Sequence, residues 1–369
     1  MRAIGDKPRQ GRTLGGALRY ERAVYECPLC RCARAPLDEE LGLASGEKMS
    51  RRLVRKVAWA AAGQSYQEAS HTLAELAGLE VSAAECARVA LEEGARIEQA
   101  QRAGEEERLR PVSPERPAPS AEIQSQRLVL EADATCVLTV AGEEHKSVYC
   151  GTGFALEDRL RKQGESERPV IVRRRYTASA VDMEDFGPRL KALGYRMGMR
   201  GAQAVAFIAD GAACLWKWAR ENLPGDTVLI QDFWHVCQHL AELLQDLYGP
   251  GEQAEALLVQ WREALREGRL EEILEHLRRE HKSRRGAKRE RLEKEIHYLE
   301  AGRERMDYAR FRAAGWPIGS GAAEGTCKHL IKERFCVTGA HWRRRNIAPV
   351  LALRQSIFNE EWDRDWSRN

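Results

Sequence analysis

The chain has 369 residues, 43% of them hydrophobic and 31% charged, with a formal net charge of +3. That balance excludes a disordered or low-complexity chain and suits two or three globular domains. No run of about 18 apolar residues is present, so no membrane-spanning helix is expected, and no apolar stretch of the secretory-signal kind follows MRAIGDKPRQGR.

Residues 1–48 read as turn-rich and end in PLDEELGL. Met49 to Ala62 carries Leu53, Val54, Val57, Ala58 and Ala61 at helical spacing, and Gly63 stops it. A second helix is predicted over Tyr66 to Ala77, ahead of Gly78. Ser82 with Glu85 three residues on has the form of a capping box and opens a third. Three helices separated by glycines suit a helix-turn-helix module, or a plain three-helix packing unit. Pro111, Pro114, Pro117 and Pro119 then mark a linker.

Beyond the linker the pattern turns to strands. Arg127 to Val140, Lys146 to Gly153 and Pro169 to Ser179 are predicted as the first three. A helix follows over Asp182 to Leu193. Ala204 to Ala209 (AVAFIA) is apolar throughout, as in a strand buried on both faces, and it stops at Asp210-Gly211. A helix over Cys214 to Asn222 and a strand over Thr227 to Gln231 complete a mixed sheet with helices packed on it. The chain is then helical to about Arg312, with a separate charged hairpin predicted over Gly251 to Arg305. WPIGSG breaks it before a last helical block from Ala322. Trp216, Trp218, Trp234 and Trp316 are expected in the core.

Carboxylates stand at telling places in this pattern. Asp133 interrupts an apolar strand, Asp210 ends another, and Glu324 follows Gly319-Ser320-Gly321 near a helix start. Burying an unpaired carboxylate costs several kcal/mol, so each needs a reason. Acids on neighbouring strands can point at one ion, and Mg²⁺ takes hard oxygen ligands. Two such ions can activate water or a 3′-hydroxyl and stabilise a leaving oxygen. The plainer alternatives are a turn acid, an ion-pair partner and a helix-start acid. Asp232 also ends a strand and is the rival of Asp210.

The motifs LEADAT around Asp133, IADGA around Asp210, QDFWHVCQHL around His235 and GWPIGSGAAEGTCKHLIKERF around Glu324 occur in that order. Together they resemble the Kra-type insertion-sequence transposases, a bacterial family of DDE enzymes. The likeness begins at VYECPLC and runs to about Trp362. It implies an α/β fold: a ribonuclease-H-like mixed sheet with helices, a helical insertion, and an N-terminal helix-turn-helix-like region. Divided on that basis, residues 1–48 are a partial zinc-ribbon-like segment and 49–125 the DNA-binding region with its linker. Residues 126–250 are the first part of the catalytic core, 251–305 the insertion, and 306–369 the rest of the core.

The resemblance further implies cleavage of transposon ends and strand transfer into target DNA. Asp133, Asp210 and Glu324 would be the catalytic acids and the ligands of two Mg²⁺ or Mn²⁺ ions. Asp232-Phe-Trp-His235 is similar to a D-x-x-H element of related transposases, in which His235 would orient the scissile phosphate or tune the metal carboxylates. DNA is the implied partner, with a homo-oligomer assembled on it in the cytoplasm, at the nucleoid. A nuclease without strand transfer, and a truncated or domesticated transposase that only binds DNA, are the alternatives.

Charge distribution bears on the same partner. Arg278 to Lys294 holds nine Lys or Arg against three Glu, and Lys328 to Arg345 holds six against one. Such runs either track a phosphate backbone or form a solvated helix face. From the second run Lys328, Lys332, Arg334, Arg343 and Arg344 are candidate nucleic-acid contacts. Trp342 is a candidate for stacking on a base, with a buried aromatic as the alternative. Of ten cysteines only Cys27, Cys30 and Cys32 cluster, which fits a reducing compartment. Cys27-Pro-Leu-Cys30 is one half of a zinc ribbon, whose ions take four ligands. His239, one turn after His235, could with Cys237 suggest a metal site, but no further ligand motif accompanies them, and a DNA-adjacent or core histidine is expected.

Overall fold

The computed structural model describes residues 1–43, 48–123, 126–163 and 166–367, with side chains for those outside 158–169. In chain order it opens with a long hairpin of β1 (Arg2–Thr13) and β2 (Gly16–Glu26). The stretch that reads as turn-rich is largely this hairpin, and its glycines serve different ends. Gly5, at φ +100°, sits at a register shift of the ladder, the left-handed backbone only glycine adopts readily. Gly11 packs so closely that a Cβ would stand 2.7 Å from Leu43 Cδ1. Pro8 is tolerated because β1 is the edge strand of its sheet at that point.

A short β3 (Ala33–Arg34) joins the hairpin, followed by α1 (Pro36–Glu40), α2 (Arg51–Gly63), α3 (Tyr66–Ala77) and α4 (Ala83–Leu109). The caps explain these boundaries. The Leu53 N–H donates to the Ser50 hydroxyl, and Ser65 with Glu68 closes a full capping box. Gly78 ends α3 at φ 62°, and at α4 the Glu85 N–H donates to Ser82 Oγ while the Ser82 N–H donates to Glu85.

Then come β4 (Arg127–Val137), β5 (Lys146–Gln163), β6 (Ser166–Ser179), α5 (Met183–Arg196), β7 (Ala204–Ala209), α6 (Ala213–Asn222), β8 (Val228–Gln231) and α7 (Phe233–Tyr248). The predicted charged hairpin is instead three helices, α8 (Glu252–Arg266), α9 (Leu270–Ser283) and α10 (Ala287–Gly302). After α11 (Tyr308–Ala313) and the glycine-rich break, α12 (Gly321–Thr326) runs into a π-helical stretch, Cys327–Lys332, and α13 (Glu333–Phe335). Finally α14 (Arg344–Phe358) and α15 (Trp362–Ser367) close the chain.

These elements fall into two compact units. One comprises residues 1–101, 138–144 and 332–369, the other 102–137 and 145–331. The first is built on a core in which Leu53, Val57, Ala61, Val89 and Ile97 of α2 and α4 pack with Leu353, Trp362 and Trp366. Helices α4 and α14 approach so closely that a Cβ on Gly94 would stand 2.2 Å from the Pro349 carbonyl oxygen. Residues 332–369 thus belong with the N-terminal helices, whereas the sequence division assigned all of 306–369 to the sheet domain. The reason is local apolar pattern: the buried face of α14 and the two tryptophans complete the core of α2 to α4.

The second unit is a five-stranded mixed sheet in the order β6-β5-β4-β7-β8. Strands β4, β5 and β6 are antiparallel in turn, while β7 runs parallel to β4 and β8 parallel to β7. Alternation along the strands sends side chains to two helical layers. Leu128, Leu130, Ala132, Val205, Phe207 and Ala209 face α5 and α6. Val129, Phe154, Ala206, Ile208 and Ile230 face α7, and their core runs on into Trp261, Leu277, Leu292 and Leu299 of α8 to α10. The insertion is therefore part of the domain core, because its inward face is leucine-rich despite the charged exterior. Among the described residues no helix is long and apolar enough to cross a membrane.

Candidate active site

Strand register brings the first two acids together. Ala132 of β4 pairs with Ala209 of β7 in the parallel ladder, so the next residues, Asp133 and Asp210, stand at one level. Neighbouring strands lie about 4.8 Å apart. By alternation Asp133 follows Val129 and Asp210 follows Ala206 and Ile208, all on the face that carries α7 and α12. Asp133 Oδ1 accepts the Ala134 N–H at 2.7 Å, and Asp210 Oδ1 accepts the Ala212 N–H at 3.1 Å. Gly211 takes φ +113°, and a Cβ there would meet Gln231 Nε2 at 3.0 Å and the Tyr298 ring at 3.4 Å. The turn after Asp210 therefore requires glycine.

Glu324 lies on α12, which packs on β4 and β5 over that same face. The inward stripe of the helix is Ala322, Ala323, Thr326 and Cys327. Helical spacing sets Glu324 about 60° around the axis from Cys327. Cys327 itself meets Cys150, Sγ to Sγ 2.8 Å, and Cys150 pairs with Asp133 across the ladder. The Cys150 thiol, burial and the nearby Asp133 carboxylate all push the Cys327 thiol up from its ordinary range. Glu324 is exposed, and its carboxylate forms no ion pair among the described residues.

Asp232, the rival second acid, is engaged elsewhere. It is buried, one oxygen accepts the His235 N–H at 2.8 Å as the cap of α7, and the other accepts both the N–H and the hydroxyl of Ser320. The His235 ring is half-buried and meets His239 edge-on at 4.8 Å, and His239 stacks on Tyr298 at 4.4 Å. Burial raises the Tyr298 phenol, and Asp210 lies near enough to add to the rise. Cys237 is buried and its thiol is pushed up to about 11 by that burial, in keeping with a core role.

Glu131 escaped the sequence reading. It is fully buried on β4, and its Oε2 accepts the Ala323 N–H at 2.7 Å, one residue before Glu324. Burial pushes its carboxyl up to about 8. The signal was available, since Glu131 and Asp133 are two apart in a strand and so share a face. Only the packing of α12 shows what that face meets.

As donors, Asp133, Asp210 and Glu324 offer hard oxygens of the kind Mg²⁺ or Mn²⁺ takes, and two like charges at one level of a sheet are relieved by a cation. Their chemistry fits such an ion. As the side chains stand, no group of three His, Cys, Asp or Glu suited to a metal ion occurs among the described residues. That finding covers the cysteine turn too. There the Cys32 N–H and the neighbouring thiols lower the Cys30 thiol, and a zinc ion would want a fourth ligand beside the three cysteines.

The candidate DNA contacts divide. Lys328, Lys332, Arg343 and Arg344 are exposed. Arg334 is buried, donating to the Ala61 carbonyl at 3.3 Å with its guanidinium 4.7 Å from the Trp342 ring centre and 5.0 Å from that of Tyr66. Trp342 is buried as well, tilted against Phe335 at 4.8 Å. Neither is placed to touch DNA: an aromatic cage holds the arginine, and the tryptophan forms part of it. Trp216, Trp218 and Trp316 are buried as expected, but Trp234 is 54% exposed, lying along Gly319. No protein-family model matches the chain, and no curated protein matches it.

Proposed function

We propose that the chain is a DDE transposase, which cuts transposon ends and joins them to target DNA. The observation that carries this reading is the level placement of Asp133 and Asp210 on adjacent parallel strands, on the face over which α12 brings Glu324. The strand order, with three antiparallel strands followed by two parallel to the first, supports a ribonuclease-H-like core. The ordered motifs around these acids, which resemble the Kra-type transposases, support the same assignment.

In this reading Asp133, Asp210 and Glu324 hold two divalent ions, which when bound supply Lewis acidity for phosphodiester hydrolysis and for attack by the freed 3′-hydroxyl. Strand β4, within which Asp133 lies, and the end of β7 position two carboxylates rigidly, and the exposed Glu324 completes the set from the helix. No side chain serves as a covalent nucleophile. His235, whose backbone N–H donates to Asp232, keeps its ring to orient the scissile phosphate or to tune the metal carboxylates. Exposed Lys328, Lys332, Arg343 and Arg344 supply the phosphate contacts, and α3 with α4 supplies the helix-turn-helix.

The test is end cleavage and strand transfer of labelled DNA into plasmid in Mg²⁺ or Mn²⁺, with Asp210→Asn as control. Joined product that disappears in the variant is the expected result. Equal nicking by the variant overturns the catalytic assignment. Cut ends without joining point to a nuclease, and binding without any cleavage to a DNA-binding protein alone.

A further inference from the structure

The helix that carries Glu324 starts without a cap of its own. Four N–H groups at a helix start lack intrahelical partners, and the Ser320 side chain does not cap α12. The partners come from two other elements. Glu131, midway along β4, takes the Ala323 N–H at 2.7 Å, and Asp232, at the end of β8, takes the N–H and hydroxyl of Ser320. The Phe233 N–H adds a bond to the Ile318 carbonyl at 2.9 Å. Both carboxyl groups are buried, Glu131 at 1% exposure and Asp232 at 5%. An apolar pair of similar size would be cheaper to bury, so their presence calls for a role.

We propose that Glu131 and Asp232 are positioning residues, a pair of buried carboxyl groups that grips the start of α12 and sets where Glu324 stands relative to Asp133 and Asp210. This rests on the transposase reading for what Glu324 does, but the grip itself does not. The chain of contacts is short. Glu131 is two residues from Asp133 on the same strand and face, and its partner Ala323 is the neighbour of Glu324. The third acid is thus tied to the strand of the first by one hydrogen bond. Asp232 does the same from the strand beside Asp210, and by capping α7 it joins that helix to the same point. Misplacement of a reacting group by about 1 Å can cost 10²-fold in rate.

The test uses the full chain and two measurements. Amide hydrogen exchange over residues 318–326 reads the grip directly. Glu131→Leu should speed exchange there by about tenfold or more, the loss of a hydrogen bond to a buried carboxyl. Glu131→Gln keeps a carbonyl oxygen for the Ala323 N–H and should stay within about threefold of the parent. Ser320→Ala, which leaves the core intact, should speed exchange several-fold and serves if Glu131→Leu does not fold. In single-turnover cleavage, Glu131→Leu should lower the rate at saturating DNA by about 10²-fold with the Kd for the ends unchanged, and Glu131→Gln should restore it. Unaltered exchange in both the Glu131→Leu and Ser320→Ala variants overturns the proposal. So does a rate loss matched by an equal loss of DNA affinity. If the parent chain cuts no DNA, the transposase reading fails, while the exchange result still decides the grip.

Discussion

Two acids of the same type, Asp210 and Asp232, end adjacent parallel strands and have opposite surroundings. Asp232 spends both oxygens on N–H and hydroxyl donors, while Asp210 accepts the Ala212 N–H on Oδ1. Asp210 therefore keeps more of its lone pairs open to a cation than Asp232 does. Replacing Asp133 by Asn or Glu324 by Gln should therefore lower end cleavage by roughly 10²-fold or more with end binding intact, as gel shift and single-turnover cleavage will show. The basic segment divides in a similar way. Trp342→Ala should destabilise the chain by about 3–5 kcal/mol, the usual cost of emptying a large aromatic site, seen in denaturant unfolding. Arg343→Gln and Arg344→Gln should leave stability unchanged, weaken binding to all DNA sequences, and each reduce the slope of log affinity against log salt by about 1.

Elements meet at glycines and at ion pairs. Gly94→Ala would drive a methyl into the Pro349 backbone, so α4 and α14 must separate, at about 1–3 kcal/mol. A melting scan would reveal it, and a variant as stable as the parent would deny the close approach. Glu122 joins the segment before β4 to β6 and α5. Its oxygens accept from Arg175 Nε at 2.8 Å and from Arg196. Burial acts to raise this carboxyl, but Arg196 and Arg175 outweigh it and hold it below its ordinary 4.5. A lowered folded-state value means stability that is present above that ordinary value and lost as pH falls below it. Chemical denaturation between pH 6 and roughly 3 should show Glu122→Gln flattening this acid loss.

At the scale of the whole molecule, each unit has its own apolar core, and the first unit is assembled from three separated stretches of chain. A chain beginning at residue 110 would keep α14 and α15 but lose the α2, α3 and α4 residues that bury Leu353, Trp362 and Trp366. It should bind hydrophobic dyes and aggregate, so loss of DNA binding by such a truncation would say nothing of the helix-turn-helix. Exposed residues of α3 and α4 are the better targets. A well-behaved monomeric truncation would contradict this account of the first unit.

The sequence by itself determined the elements whose cause is local. The capping box at Ser82 set the start of α4, Gly78 the end of α3, and the apolar run of β7 its burial on both faces. It also determined which acids end which strands. It misled where one residue type serves several purposes. Residues 1–48 read as turn-rich and hold a long hairpin, in which Gly5 marks a ladder irregularity and Gly11 a packing contact. Arg334 reads as a candidate DNA contact and Trp342 as either a base-stacking residue or a buried aromatic, and the two form a buried cage. Tertiary structure alone decided what lies opposite each side chain: that Asp133 and Asp210 share a level, that α12 covers their face, and that Glu131 holds its start. Periodicity tells which residues turn inward, whereas the identity of the neighbour depends on strand order and helix docking between residues far apart in the chain.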